Sequence, residues 1–336
     1  MNFYIDPYIF TIDKETLTKS QLEEFIENII DWKKLIDLNW GNVYRLKETF
    51  DILFKYNLFP LVDNLKEVID KYNIDYIQPE EIDKILNSLL NKLPTVEDSF
   101  DLSDILIDED NLSLESNRND EFLDILKKLT VIIKINCLSR NERDDANIII
   151  SKEIKEEELK FNAIVSLVYP EKEIELPKSI DIAFNQYENY RLFCANIDPC
   201  IVWINSKGDL CQKIALYIKI YQLDKESEFF YLEIEPNFIL HDNFYKTMKN
   251  LGFDIELPKI NTLLRSISEE ILNRNMQNTH DLRESKGGGS KQIKVNQYSA
   301  WRRDIDYDYH LHYWRNGNEL IFTDVVKHNN FKITRL

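Results

Sequence analysis

The stretch from Asp304 to Val326 constrains the fold more tightly than any other part of the chain. Polar and apolar residues alternate strictly from Asp304 to Trp314, Asn316-Gly317 interrupts them, and Glu319 to Val326 runs back. A period of two puts successive side chains on opposite faces of a strand. Asn-Gly suits a two-residue hairpin turn, which needs positive φ at both central positions. The pattern predicts an antiparallel hairpin with Leu311 and Tyr313 buried. Asp304, Asp306, Asp308, His310 and His312 would share the other, polar face.

Upstream the period changes. Residues 18–95 read as helices. Ser20-Gln21-Leu22-Glu23 has the spacing of a capping box, and Leu22, Phe25, Ile26, Ile29, Ile30 and Leu35 follow at helical intervals. Leu46, Phe50, Leu53 and Phe54 mark a second helix, and Leu61, Leu65, Val68 and Ile69 a third. Pro79 opens a fourth. Residues 96–121 are rich in Asp and Glu, lack the turn glycine of a calcium loop, and read as a linker. Thr130–Ile135, Ala163–Val168, Ile201–Ile204 and Phe229–Ile234 are short β-rich runs. Two helices follow, one capped by Asp242 and ended by Gly252, the other opened by Pro258. Gly287-Gly288-Gly289-Ser290 then forms a flexible connection, without the Lys-Ser/Thr ending of a phosphate-binding loop. The expected class is α+β. A helical domain would span residues 1–95, an acidic linker 96–121, and an α+β domain with the C-terminal site 122–336.

Composition narrows the function. No apolar run reaches the ~18 residues of a membrane span, and the start lacks the pattern of a secretory signal, so a cytoplasmic protein without membrane contact is expected. The cysteines, Cys137, Cys194, Cys200 and Cys211, form no C-x-x-C pair. Cys137 and Cys194 sit among apolar neighbours and read as reduced core residues. The formal net charge is −17, yet residues 283–336 hold ten Lys and Arg against six Asp and Glu. An acidic body opposes general coating of nucleic acid, while the basic tail admits one local anionic partner or simply neutralises the body.

The chemistry concentrates in that tail. Four of the five histidines, His280, His310, His312 and His328, lie in the last 57 residues. On the polar strand face, Asp304, Asp306, His310 and His312 could bind a divalent metal or act as acid–base groups, with His280 as a further catalytic candidate. Arg283, Arg302 and Arg303 are candidate phosphate partners. The alternative is a solvated edge face kept charged against strand pairing. No nucleophile elbow, kinase signature or dinucleotide fingerprint is present.

Several resemblances bear on activity. Arg274-x5-His280, with Asn275 after the arginine, is similar to the Arg-x(4–6)-His pattern of HEPN ribonucleases, and Arg303-x6-His310 repeats the spacing. Phe3-Tyr4-Ile5-Asp6 resembles the first strand of PIN nucleases, although Pro7 and Tyr8 stand where those place Thr or Ser and then Asn. Asp145-x7-Glu153-x-Lys155 resembles a PD-(D/E)xK core. His280-Asp281-Leu282-Arg283, Trp301-Arg302-Arg303-Asp304-Ile305-Asp306 and Tyr309-His310-Leu311-His312-Tyr313-Trp314 together resemble a C-terminal signature of uncharacterised bacterial proteins of anti-phage and mobile-element defence loci. The closing hairpin, ending in Val325-Val326-Lys327-His328, is similar to the last strands of RelE/ParE-type toxins. These resemblances imply a defence or toxin component acting on nucleic acid through the C-terminal residues. The other reading is a non-catalytic adaptor whose acidic body binds a protein partner.

Overall fold

The computed structural model describes residues 1–37, 41–100, 105–112, 118–140, 143–154, 158–167, 177–205, 209–224, 238–284 and 290–336. The protein is α+β, with two six-stranded mixed sheets. The chain divides into two compact units, Met1–Phe193 and Cys194–Leu336.

The first unit begins with β1 (Asn2–Ile5), followed by α1 (Lys19–Asp37) and β2 (Asn42–Arg45). Four helices come next, α2 (Thr49–Lys55), α3 (Val62–Tyr72), α4 (Pro79–Lys92) and α5 (Val96–Phe100). Then come β3 (Ile105–Asp110), α6 (Asp120–Arg140), β4 (Asn147–Ile150), β5 (Glu158–Leu167) and β6 (Ile180–Tyr187). Helix α7 (Tyr190–Asn196) spans the boundary between the units. The strand order is β2-β1-β4-β6-β5-β3. The first four are parallel, and β5 and β3 continue antiparallel. Buried on both faces, β1 and β4 read as near-continuous apolar runs, Phe3-Tyr4-Ile5 and Ile148-Ile149-Ile150.

Helices α3 and α4 bury Leu65, Val68, Ile69, Ile82, Leu86, Leu89 and Leu90 of the expected stripes, whereas Leu61 lies before α3 and is exposed, and in the second stripe Leu46 lies before α2 and Phe54 is exposed. Helix α1 is capped two residues earlier than the Ser20–Glu23 spacing indicated, at Thr18. The Thr18 backbone N–H donates to Gln21 Oε1 at 2.9 Å, and the Gln21 N–H donates to Thr18 Oγ1 at 3.3 Å.

Three expectations fail. Thr130–Ile135 lies inside α6, not in a strand. Residues 129–133 are all buried, so this part of the helix is enclosed on every side and shows no amphipathic stripe. Ile201–Ile204 lies in helix α8 (Pro199–Ile204), where the Asp198 carboxylate accepts from the Cys200 N–H at 2.8 Å and Pro199 fills the first turn. The segment 96–121 is not a linker where it is described. It supplies α5 and then β3, whose Ile105 pairs with Leu167 of β5. Ala163–Leu167 is strand as expected, and Phe229–Ile234 and Gly287–Gly289 lie outside the described residues.

The second unit runs through α8, α9 (Asp209–Leu223), β7 (Phe238–Leu240), α10 (Asp242–Asn250), α11 (Leu257–Ile271), β8 (Thr279–Asp281), β9 (Lys294–Val295), β10 (Tyr298–Asp304), β11 (Tyr309–Asn316) and β12 (Glu319–Lys327). Its sheet has the order β7-β12-β11-β10-β8, with β9 also on β10. The cap of α10 is His241, whose Nδ1 accepts from the Asn243 N–H at 3.1 Å, one residue before the expected Asp242. The β11–β12 hairpin forms as expected, but its two turn residues are Gly317, at φ +57°, and Asn318, while Asn316 ends β11 paired with Glu319. Leu311 and Tyr313 are fully buried. Cys137, Cys194 and Cys200 are buried and form no disulfide.

Candidate functional site

The strand expected from Asp304 to Trp314 is broken by a tight turn at 305–308, so Asp304 closes β10 while His310 is the second residue of β11. The two become cross-strand neighbours. The Asp306 carboxylate makes that turn by accepting the N–H groups of Asp308 at 2.8 Å and Tyr309 at 2.9 Å. Asp306 is thereby a turn residue and does not join the others.

Pairing of β10 with β8 sets Arg302 opposite His280, and pairing with β11 sets Arg302 opposite His312. The face so assembled converges on Asp304. Its Oδ1 lies 3.2 Å from His310 Nε2 and its Oδ2 3.5 Å from His280 Nε2. His310 is 2% exposed, whereas the His280 and Asp304 side chains are 45% and 40% exposed. The His328 ring lies 4.7 Å from that of His310, and Tyr307, 90% exposed, stacks nearly parallel on His328 at 6.1 Å. A buried imidazole thus lies beneath a carboxylate, two exposed imidazoles and an exposed phenol. Burial pulls the His310 pKa down and outweighs the opposing pull of Asp304.

The remaining candidates have other roles. His312 is fully buried, its Nδ1 is 3.0 Å from the Lys332 carbonyl, and burial pushes its pKa down to about 4. Arg303 points to the opposite face and is buried in an ion-pair knot. Its Nη2 donates to Glu269 Oε2 at 2.7 Å and its Nη1 to Glu270 Oε2 at 3.0 Å. Burial would raise the Glu269 pKa, but donation from Arg265, Asn275 and Arg303 wins and holds the carboxyl below its ordinary value. Arg303 is occupied and offers nothing to a phosphate. Arg283 pairs with Asp281 at 3.4 Å, and Arg302 lies 5.6 Å from the Phe331 ring centre, leaving Arg302 as the guanidinium beside the Asp304 cluster. Among the described residues no three His, Cys, Asp or Glu side chains are placed to share a metal ion, so Asp304, Asp306, His310 and His312 do not form the expected ligand set. The polar face is not a solvated edge either, since β11 is an interior strand with His310 and His312 buried.

The nuclease-like spacings fare differently. Arg274 follows α11 and pairs with Asp224 at 3.1 Å, so Arg274 and His280 do not share a helix. Asp6 sits at the end of β1, fully buried, with Arg118 Nη1 and Ser151 Oγ both donating to its Oδ2 at 2.6 Å. That neutralised carboxylate pins the ends of β1 and β4 together. Asp145 pairs with Arg143, and Lys155 lies outside the described residues.

Sequence reasoning missed a second region. Strands β1, β4 and β6 are parallel, and their C-terminal ends deliver Asp6, Ser151-Lys152-Glu153 and Glu188 to one edge of the sheet. From β1 the chain goes to its neighbour β2 on one side, and from β4 it goes by way of β5 to β6 on the other, so strand order reverses between β1 and β4, where open α/β sheets bind ligands. A cavity of about 210 Å³ opens there, lined by the segment after β1, by α1 and by Lys152, Glu153 and Glu188. The sequence signal was present in the two apolar triplets ending in Asp6 and Ser151, but only parallel pairing brings them together.

No family model, curated protein or solved structure matches the chain.

Proposed function

We propose that the protein is a cytoplasmic component of a bacterial anti-phage defence or toxin-type system and cleaves single-stranded RNA at the His280–Asp304–His328 site. The observation that carries this reading is the Asp304 carboxylate set between the His280 and His310 imidazoles, with the exposed Tyr307–His328 stack beside it. A carboxylate on one ring nitrogen fixes the tautomer and leaves the other nitrogen to exchange a proton. In RNA the nucleophile is the substrate's own 2′-hydroxyl. His280 would take its proton, the hydroxyl oxygen would attack the adjacent phosphorus, and His328 would protonate the departing 5′-oxygen. Arg302 would hold the phosphate, and Tyr307 would stack on an unpaired base, as aromatic side chains do in single-strand recognition. Buried His310 touches no substrate in this scheme and positions Asp304.

The test is cleavage of a 5′-labelled single-stranded RNA by the wild type and by His280→Ala, His328→Ala and Asp304→Asn. Loss of an acid–base group should lower the rate roughly 10²- to 10⁴-fold in the first two, with the fold retained. Undiminished cleavage in both histidine variants would remove the assignment. Absence of cleavage by the wild type would favour the adaptor reading.

A further inference from the structure

The cavity at the ends of β1, β4 and β6 is separate from the C-terminal site and lies wholly within the first unit. We propose that it takes a small uncharged aldehyde or ketone and holds it as an imine on Lys152 Nζ.

The argument starts from what lines the cavity. Lys152 is carried in by the turn after β4, and its Nζ donates to the Thr11 carbonyl at 2.6 Å. It lies 5.3 Å from the Tyr8 ring centre and 5.9 Å from that of Phe25. Every charged group around it has been placed by a different element. Glu153 follows Lys152, Glu188 follows β6, Glu24 projects from α1, and Asp13 lies in the segment before it. Behind stands the Asp6–Arg118 pair, already satisfied. Burial lowers the Lys152 pKa to about 8, with Arg118 acting in the same direction against Glu153, Glu188 and Asp6. A lysine desolvated in this way supplies the free amine that attacks carbonyl carbon. Burial raises the Glu188 carboxyl, and the facing Glu24 adds to that. An amine and a carboxyl able to relay its protons line the same cavity, and imine formation uses both.

The step balances without a co-reactant. The neutral Nζ attacks the carbonyl carbon, the C=O bond becomes a carbinolamine, and the oxygen departs as water carrying the two Nζ protons, relayed through Glu188. A C=N bond replaces one C=O bond, nothing is oxidised or reduced, and water reverses the reaction. The walls define the ligand. Ile9, Ile12, Phe25 and Leu58 give an apolar lining, and the four carboxylates disfavour phosphates and carboxylic acids. Glu153 adds a conformational sign, since it holds φ +58° without being glycine or asparagine, and such strain gathers at functional sites.

The experiment treats the full chain with benzaldehyde and sodium cyanoborohydride at pH 7.5, then maps the benzylated lysines by mass spectrometry. Lys152 should be modified at least tenfold more than the surface lysines, and the selectivity should vanish in urea. Glyoxylate, the charged counterpart, should label Lys152 less than benzaldehyde does. Lys152→Arg should abolish the preferred label, and Glu188→Gln should slow it several-fold with an unchanged circular dichroism spectrum. Labelling spread evenly over the lysines, or Lys152 among the least labelled in the folded protein, overturns the proposal. Neither result depends on whether the protein cleaves RNA.

Discussion

At the scale of single residues, burial separates the groups that act from those that hold the fold. Arg303 and Arg302 are adjacent and chemically alike, yet Arg303 is enclosed with Glu269 and Glu270 while Arg302 faces the Asp304 cluster. Sequence alone assigned both to phosphate, because alternation tells which residues share a face and not which face is covered. Arg303→Ala would remove the guanidinium that Glu269 and Glu270 share, leaving Glu269 to Arg265 and Asn275 and Glu270 to Arg315 and Thr279, and should cost about 3 kcal/mol in chemical denaturation. Arg303→Lys should recover little, having no two-pronged donor to span both carboxylates. His312 makes the second unit acid-sensitive. Its pKa is depressed to about 4 in the fold against an ordinary 6.5, so the unfolded chain binds the extra proton between those values. Stability therefore rises with pH through that window and is lost as pH falls. The effect is about 3 kcal/mol across it. Denaturation of His312→Asn at pH 7 and pH 4.5 should show a smaller pH difference than the wild type, and an unchanged difference would refute this assignment.

At the scale of elements, legibility followed periodicity. Helices α3 and α4 were readable because each has one buried side, so that Leu65, Val68 and Ile69 recur at the right interval, whereas the β11–β12 hairpin was readable from its alternating residue types although both faces of β11 are buried. Helix α6 was not, because burial on all sides erases the stripe and its Thr130-Val131-Ile132-Ile133 run carries strand-like residue types. The break at 305–308 was also hidden. Strict alternation continued through it, and only the Asx turn of Asp306 shows why the strand folds back. That break brings Asp304 to His310, so the candidate site depends on the irregularity the pattern concealed. Two substitutions separate its parts. Leu311→Ala should cost about 2–5 kcal/mol, since the side chain is fully buried. Asp306→Ala should raise KM by loosening the turn that carries Tyr307 while leaving kcat within about twofold, as expected for a group outside the chemical step. A collapse of kcat in Asp306→Ala would return that carboxylate to the chemistry.

At the scale of the molecule, charge limits how nucleic acid is engaged. A chain with net charge −17 cannot track a long polyanion, and the proposed site offers one guanidinium, Arg302, rather than a basic groove. Raising salt from 50 to 200 mM should therefore lower the apparent affinity for RNA by less than about tenfold, whereas six to ten phosphate contacts would lose roughly 10³–10⁵. Cleavage should be no faster on a long RNA than on a short oligonucleotide spanning the same site. Among the described residues no helix is long and apolar enough to cross a membrane. The central claim is that His280, set against Asp304, and His328, beside the His310 ring, cleave RNA through its own 2′-hydroxyl. It is tested most directly by end-group analysis of one oligoribonucleotide beside a copy carrying a single 2′-deoxy residue at the cleaved position. The account predicts a 2′,3′-cyclic phosphate from the first and no cleavage at that position in the second. Equal cleavage of both, or a 3′-hydroxyl end, would contradict it.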